Sequence, residues 1–194
     1  PLIADIHFNH RLALMAIDKG VDGLRINPGN IEKQKIREVV KAAISSGAAI
    51  RIGINAGSLE KKLYAKYGAP TADALVESAM NTVAFFEDMG FTSIKLSLKS
   101  SDVVSMINAY RAVSKKTRYP LHLGVTEAGS LMNAAIKSSI GIGALLHDGI
   151  GDTIRVSITG DPVKEIGVAY GILRALGIRK IGPDIISCPT CGRC

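Results

Sequence analysis

Six short apolar segments recur along the chain, each followed by a stretch of mixed polarity. They cover residues 2–6, 23–26, 49–54, 93–98, 121–125 and 153–158. In the last segment Arg155 and Ser157 fall on one face, while Ile154 and Val156 fall on the other, which is the two-residue period of a β-strand. We therefore predict six strands, and the polar face of the last strand indicates that it contributes to a site.

The stretches between the strands have the period of amphipathic helices. We predict helices at residues 31–46, 58–67, 71–89, 101–116 and 161–176. In the last of these helices one apolar stripe is formed by Val163, Ile166, Tyr170 and Leu173. Gly47 lies just past a predicted helix, at the position where a left-handed residue commonly ends one.

Strands that alternate with helices predict a parallel sheet, which either closes into a barrel or stays open and doubly wound. In an open sheet only the strands beside the switch point contribute ligands, whereas all strand ends of a barrel surround one mouth. Every predicted strand here ends in polar residues, so we predict a TIM (β/α)8-type barrel. Such barrels span about 250 residues, so we expect six of the eight βα units here and two before Pro1. We assign residues 1–182 to this partial barrel.

Four cations are predicted to surround the barrel mouth. We call them the basic ring: Arg25, Arg51, Lys99 and Arg155. Because burying unpaired cations is costly, their convergence favours a ligand with more than one negative charge, such as a diphosphate. Guanidinium groups bind phosphate oxygens bidentately, and a lysine adds a point charge. Asn27 and Asn55 lie at the same strand ends and suit ester oxygens or hydroxyls.

Other titratable residues lie at or near the strand ends. Glu127 is a candidate proton donor or acceptor, and the alternative is that it neutralises one of the arginines. His7 ends its strand, which favours a functional role, whereas we interpret His122 as a hydrogen-bonded core residue. Lys95 lies earlier in its strand than Lys99, and its side chain is predicted to reach a different layer of side chains in the barrel.

Composition narrows the class of ligand and points to a second site. The net charge of +7 suits nucleic acid or a small anion, and the scatter of basic residues along the chain favours the anion. No apolar run approaches the roughly 18 residues of a membrane span. The three cysteines fall at the end of the sequence, and Cys188 and Cys191 form a C-x2-C pair typical of half a zinc ribbon or part of an iron–sulfur site. We therefore predict that residues 183–194 begin a second domain, which needs further ligands from outside this sequence.

The motifs together resemble the 4-hydroxy-3-methylbut-2-en-1-yl diphosphate synthase family. The resemblance covers essentially all 194 residues. It is carried by PLIADIHF at residues 1–8, LRINPGN at 24–30, RIGINAGSLEK at 51–61, ESA at 77–79, LHLGVTEAG at 121–129, GIGDTIR at 149–155 and CPTC at 188–191.

The resemblance implies an iron–sulfur oxidoreductase of isoprenoid biosynthesis by the methylerythritol phosphate route. Such enzymes reductively open 2-C-methyl-D-erythritol 2,4-cyclodiphosphate to 4-hydroxy-3-methylbut-2-enyl diphosphate, with loss of water. It also implies a [4Fe-4S] cluster in the C-terminal domain, a homodimer, and ferredoxin or flavodoxin as the electron donor. The location implied is the bacterial cytoplasm or, in a plant or alga, the plastid stroma.

The resemblance also assigns roles by position. Glu127 matches the acidic residue near the reacting carbons, and Cys188 and Cys191 match two cluster ligands, whereas Cys194 departs from the pattern. The candidate substrate-binding residues are Asp5, His7, Arg25, Asn27, Arg51, Asn55, Lys99, Thr126, Arg155 and Ser157.

Two other functions compete with this interpretation. One is a pterin- or aldol-type TIM-barrel enzyme that uses the same strand ends without a cluster. The other is a zinc-stapled, basic nucleic-acid-binding protein, which the absence of a basic run disfavours. We expect this stretch alone, with open barrel edges, neither to fold stably nor to catalyse.

Overall fold

A computed structural model describes residues 1–180 and Gly182. In this part of the chain strands and helices alternate as the sequence predicts. The strands are β1 (Ile3–Ile6), β2 (Gly23–Ile26), β3 (Ala49–Asn55), β4 (Ile94–Lys99), β5 (His122–Leu123) and β6 (Thr153–Ile154). The α-helices are α1 (His10–Asp18), α2 (Lys33–Ser46), α3 (Lys61–Tyr67), α4 (Ala72–Glu87), α5 (Val103–Val113), α6 (Leu131–His147) and α7 (Val163–Ala175), and a 3-10 turn covers Ala56–Ser58.

The strands are parallel and follow one another in chain order. β1 to β4 form one ladder, and β5 pairs with β6. A parallel bridge between Leu96 and Leu121 joins the two groups, and the Leu96 amide donates to the Pro120 carbonyl at 2.8 Å. A doubly wound sheet reverses its strand order at a switch point, whereas this order runs from β1 to β6 without reversal. The arrangement is that of consecutive barrel units, as predicted.

The hydrophobic core lies between the strands and the outer helices. Leu24, Ile50 and Leu96, on neighbouring strands, are fully buried in one apolar cluster with helix residues. The apolar stripe of α2 belongs to that cluster, and the helix ends at Gly47 with φ of +75°, as its position in the sequence predicts. Burial of this strand face leaves the alternate residues on the opposite face.

Two predicted features differ from the structure. The ladder of β6 ends at Ile154, although the Arg155 amide still donates to the Leu123 carbonyl at 2.9 Å and the alternation of burial continues to residue 158. The apolar stripe predicted for α7 is largely exposed: Val163 is 73% exposed and Ile166 is also exposed. The reason is position, because α7 packs mainly on α6 and no later helix follows it within residues 1–180. Within the same residues no helix is long and apolar enough to cross a membrane.

Candidate functional site

The strand register places a row of ionisable residues on the face opposite the core. Asp5 is the Cα partner of Arg25, Arg25 of Arg51, and Arg51 of Lys95. We call this face the inner face. Two steps farther toward the strand ends, beyond the Gly53–Ser97 pair, it carries Asn55 and Lys99. Since side chains alternate along a strand, every residue in this row points away from the helices.

Arg25 is held by contacts with β1, and its guanidinium group occupies space that a glycine on β3 leaves open. Its Nη1 donates to Asp5 Oδ1 at 3.1 Å and lies 3.2 Å from His7 Nδ1. A Cβ added to Gly53 would lie 2.4 Å from Arg25 Nε, so glycine leaves the space that the guanidinium fills. Arg25 is only 8% exposed, and its charge is partly offset by the Asp5 carboxylate.

Arg51 reaches across the inner face to a different strand. Its Nη1 lies 3.0 Å from His122 Nε2, and His122 Nδ1 lies 2.8 Å from Thr153 Oγ1. Burial lowers the pKa of the Arg51 guanidinium, the Asp5 carboxylate opposes that shift, and Arg25 and Arg155 add to it. The Nε of Arg51 is buried without a partner among the described residues. A buried donor in this state lacks the partner that buried polar groups normally have.

Lys99 ends β4 and is 8% exposed. Burial lowers the pKa of its ammonium group to about 7, and the positive charges of Arg155, Arg51 and Arg25 act in the same direction. No ion pair within residues 1–180 involves Lys99. The other members of the basic ring therefore lie close enough to Lys99 to repel its charge, and an anion would relieve this repulsion.

The segment directly after β6 supplies the most accessible member of the basic ring. Arg155 is exposed, and Ser157 is half-buried two residues later on the same face. A Cβ added to Gly124 would lie 2.7 Å from the Arg155 carbonyl oxygen and 3.5 Å from Lys99 Cε. Glycine at position 124 thus lets the backbone after β5 lie close to Arg155 and Lys99.

The two asparagines organise the loops that follow their strands. Asn27 Nδ2 donates to Ser58 Oγ at 2.6 Å, and its Oδ1 accepts from the Gly29 amide at 3.0 Å. Asn55 Oδ1 accepts from the Gly57 amide at 3.3 Å. The polar atoms of Asn27 are thereby engaged by the protein, so this residue shapes the mouth through the loops after β2 and β3.

Glu127 follows β5 in an unusual backbone conformation. Its φ of +52° is the only positive value for a non-glycine residue in the described part of the chain. Such a conformation is strained and commonly marks a functional position. Glu127 is exposed, and no ion pair with an arginine forms in residues 1–180. Thr126, its half-buried neighbour, ties the loop after β5 to the end of β4, because its amide donates to the Ser100 carbonyl at 3.2 Å.

His122 is a buried, hydrogen-bonded residue, as the sequence predicts. What the sequence did not show is that its partner is Arg51 of the basic ring. A polar residue at the inward-facing position of a strand was the available signal, but its partner lies 71 residues away in sequence.

The cysteine prediction concerns residues that the structure does not describe. Cys188, Cys191 and Cys194 lie outside residues 1–180. Within the described residues no group of three or more histidine, cysteine or acidic side chains could hold a metal ion.

Comparison with known proteins gives a family match over most of the chain. The GcpE TIM-barrel domain matches residues 1–170. Proteins named 4-hydroxy-3-methylbut-2-en-1-yl diphosphate synthase (flavodoxin) are 59% identical in Lawsonia intracellularis, 56% in Geobacter sulfurreducens and 60% in Thermodesulfovibrio yellowstonii, each over the whole of this chain. The chain spans about half the length of these curated relatives, 54% to 56%.

Among solved structures, the fold resembles the carboxyl transferase domain of Rhizobium etli pyruvate carboxylase. The TM-score is 0.55 at 14% identity, over 91% of this chain and 31% of that one. At this identity the likeness concerns the fold, which agrees with the barrel-type strand order.

Proposed function

The chain belongs to the GcpE family, whose TIM-barrel domain it carries, and from that premise we propose that the complete protein is a 4-hydroxy-3-methylbut-2-en-1-yl diphosphate synthase. The substrate is 2-C-methyl-D-erythritol 2,4-cyclodiphosphate. Two electrons and two protons open the ring at a C–O bond and release one hydroxyl as water, leaving the linear diphosphate. The part of the protein in this chain binds the diphosphate and positions a carboxylate near the reacting carbons.

The observation that carries this proposal is the basic ring on one inner face. Arg25, Arg51 and Lys99 converge there with a single nearby carboxylate, Asp5, within the described residues, and Arg155 adds a fourth cation. A compact dianion offsets their repulsion, and guanidinium groups bind its oxygens bidentately. The same charges stabilise the negative charge that develops on the diphosphate oxygen as the C–O bond breaks.

Glu127 is the proposed proton donor to the departing hydroxyl. It lies at the barrel mouth on a strained backbone, and its carboxylate is free of arginine partners in the described chain. A carboxyl group at that position protonates the hydroxyl so that it leaves as water. Asp5, His7, Asn27, Asn55, Thr126 and Ser157 complete the proposed contacts to the substrate or to the loops that enclose it.

The electrons require a cofactor outside the described residues. Cys188 and Cys191 offer two thiolates at C-x2-C spacing, a donor set that suits a [4Fe-4S] cluster with further ligands from the rest of the protein. When bound, such a cluster supplies electrons singly. The relatives' names specify flavodoxin, and we propose a flavodoxin donor, with ferredoxin as the alternative, and a cytoplasmic homodimer.

Two substitutions in the full-length protein test the proposal. Arg155→Ala removes one cation from the ring and is expected to weaken binding of the cyclic diphosphate by at least about tenfold. Glu127→Gln keeps the shape of the side chain but removes the proton donor, so turnover is expected to fall far more than affinity. Unaltered binding in the first variant, or normal turnover in the second, would contradict the assigned role.

Anaerobic reconstitution separates the proposal from a cluster-free enzyme of the pterin or aldol type. With iron and sulfide, the full-length protein is expected to gain the broad visible absorption of a [4Fe-4S] centre and to convert the cyclic diphosphate when reduced flavodoxin is present. A protein that turns over substrate without iron would exclude the proposed chemistry.

A further inference from the structure

His122 connects two of the barrel's strands to the basic ring. It lies on β5, its Nε2 is 3.0 Å from Arg51 Nη1 on β3, and its Nδ1 is 2.8 Å from Thr153 Oγ1 on β6. The residue is 7% exposed. The contact to Arg51 skips the intervening strand β4 and therefore crosses the inner face.

The chemistry of the two contacts determines where the histidine proton lies. A guanidinium group only donates hydrogen bonds, so Nε2 must accept and carries no proton. The proton is then on Nδ1, which donates to the Thr153 hydroxyl oxygen. Burial lowers the pKa of His122 to about 2, with the positive charges of Arg51, Lys99, Lys95 and Arg155 acting in the same direction. The ring is therefore a neutral acceptor.

The two arginines at the centre of the row are held in opposite electrostatic ways. Arg25 donates to the Asp5 carboxylate, which cancels part of its charge. Arg51 is oriented by a neutral ring, which itself cancels none of the guanidinium charge, and its Nε has no partner in residues 1–180. Resting on the proposed function, we infer that His122 is a positioning residue that aims Arg51 at the diphosphate without neutralising it, and that Thr153 fixes the required tautomer.

Three substitutions of His122 in the full-length protein separate this role from simple packing. Glutamine offers both an acceptor and a donor, and we expect the KM for the cyclic diphosphate to rise at most about threefold. Phenylalanine fills the ring's volume without an acceptor, and we expect KM to rise about 10- to 100-fold with a smaller change in kcat. Glutamate keeps the acceptor but adds negative charge, and we expect weaker binding than with glutamine.

The outcomes of this series are distinct. A phenylalanine variant that binds substrate like the wild type overturns the positioning role. A glutamate variant equal to the glutamine variant overturns the claim that neutrality matters. If substitutions of His122 prevent folding, Thr153→Ser and Thr153→Val supply the same contrast, because serine keeps the acceptor for Nδ1–H and valine does not. Equal substrate affinity in these two variants overturns the role of Thr153.

A measurement without substrate keeps the inference separate from the proposed function. In full-length protein labelled with ¹⁵N-histidine, the His122 signal, identified by its loss in His122→Gln, is expected to show a protonated Nδ1 and an unprotonated Nε2 from pH 6 to 8. A ring protonated at Nε2 overturns the inference. If this tautomer is found but the protein neither binds nor converts the cyclic diphosphate, the proposed function alone is overturned.

Discussion

Lys99 is the residue whose charge is expected to change most when an anion binds. Burial and the neighbouring arginines lower its pKa to about 7. A dianionic ligand offsets the arginine charges and supplies a partner, so the pKa of bound-state Lys99 should return toward the ordinary lysine value of about 10.4. Binding therefore takes up a proton whenever the free protein has a neutral Lys99.

The difference in the Lys99 pKa between the free and the bound protein determines how the ligand affinity depends on pH. Because the bound state has the higher pKa, affinity is greatest below pH 7 and is lost as the pH rises between the two values. Between pH 6 and pH 9 the affinity should fall on the order of 100-fold. Proton uptake should be about 0.5 per ligand at pH 7 and about 0.9 at pH 8. The cyclic diphosphate adds no ionisation of its own here, since each ring phosphate has one acidic oxygen that is already ionised.

Isothermal titration calorimetry of the full-length protein measures both quantities. Repeating the titration in buffers of different ionisation enthalpy gives the number of protons taken up, and the dissociation constants give the pH profile. Lys99→Arg is the matched control, because a guanidinium group stays protonated throughout. In this variant the proton uptake on ligand binding should vanish, and the affinity should no longer depend on pH in this range. A wild-type protein without proton uptake at pH 8, or an arginine variant with the wild-type profile, would refute the reasoning.

Three further predictions concern the geometry of the site and its support. Gly53→Ala places a methyl group against the Arg25 guanidinium and is expected to weaken substrate binding about tenfold or more in calorimetry. The control is Gly143→Ala, whose added Cβ meets nothing within 4 Å; it should leave binding intact and raise stability by about 0.5–1 kcal/mol. Similar substrate binding in both variants would contradict the close fit of Arg25 against Gly53. Tyr110→Phe should destabilise the full-length protein by about 1–3 kcal/mol in chemical denaturation, because the phenol accepts from one buried backbone amide and donates to one buried carbonyl, and an unchanged midpoint would be the contrary result. Glu127→Gly removes the strain of the positive φ and should raise stability by about 1 kcal/mol while abolishing turnover. Glu127→Gln keeps the strain and should not gain this stability. A less stable glycine variant would exclude strain at this residue.

Sequence patterns predicted the faces of the strands better than the contacts across them. Alternation along β2 and β3 placed Arg25 and Arg51 on one side, because a period of two fixes the face of every residue in a strand. The parallel sheet followed from the alternation of strands and helices, and the polar residues at every strand end favoured a barrel over an open sheet. The placement of these cations on the inner face is thus a property that local pattern and fold class determine together.

The features that the sequence could not supply depend on neighbours distant in the chain. The sequence predicted that His122 is a hydrogen-bonded core residue, but it could not identify the partner. Arg51 lies 71 residues away on a strand that is not adjacent to β5, and no local period encodes that contact. The exposure of the α7 stripe could not be predicted, because a helical period identifies an apolar face but not whether another element covers it. The conformation of Glu127 left no signal, because the left-handed region is typical of glycine or asparagine.

The phenol of Tyr110 has a consequence for how the inner face keeps its spacing. Between β4 and β5 the described ladder consists of one bridge, and beside it the Tyr110 hydroxyl links the Leu98 amide to the His122 carbonyl at 2.9 and 2.5 Å. A side chain from the outer helix α5 thus replaces backbone pairing at this junction. The distance between Lys99 and the histidine strand is set in part from outside the barrel, so substitutions in α5 that shift this ring should alter ligand affinity although they touch no ligand atom.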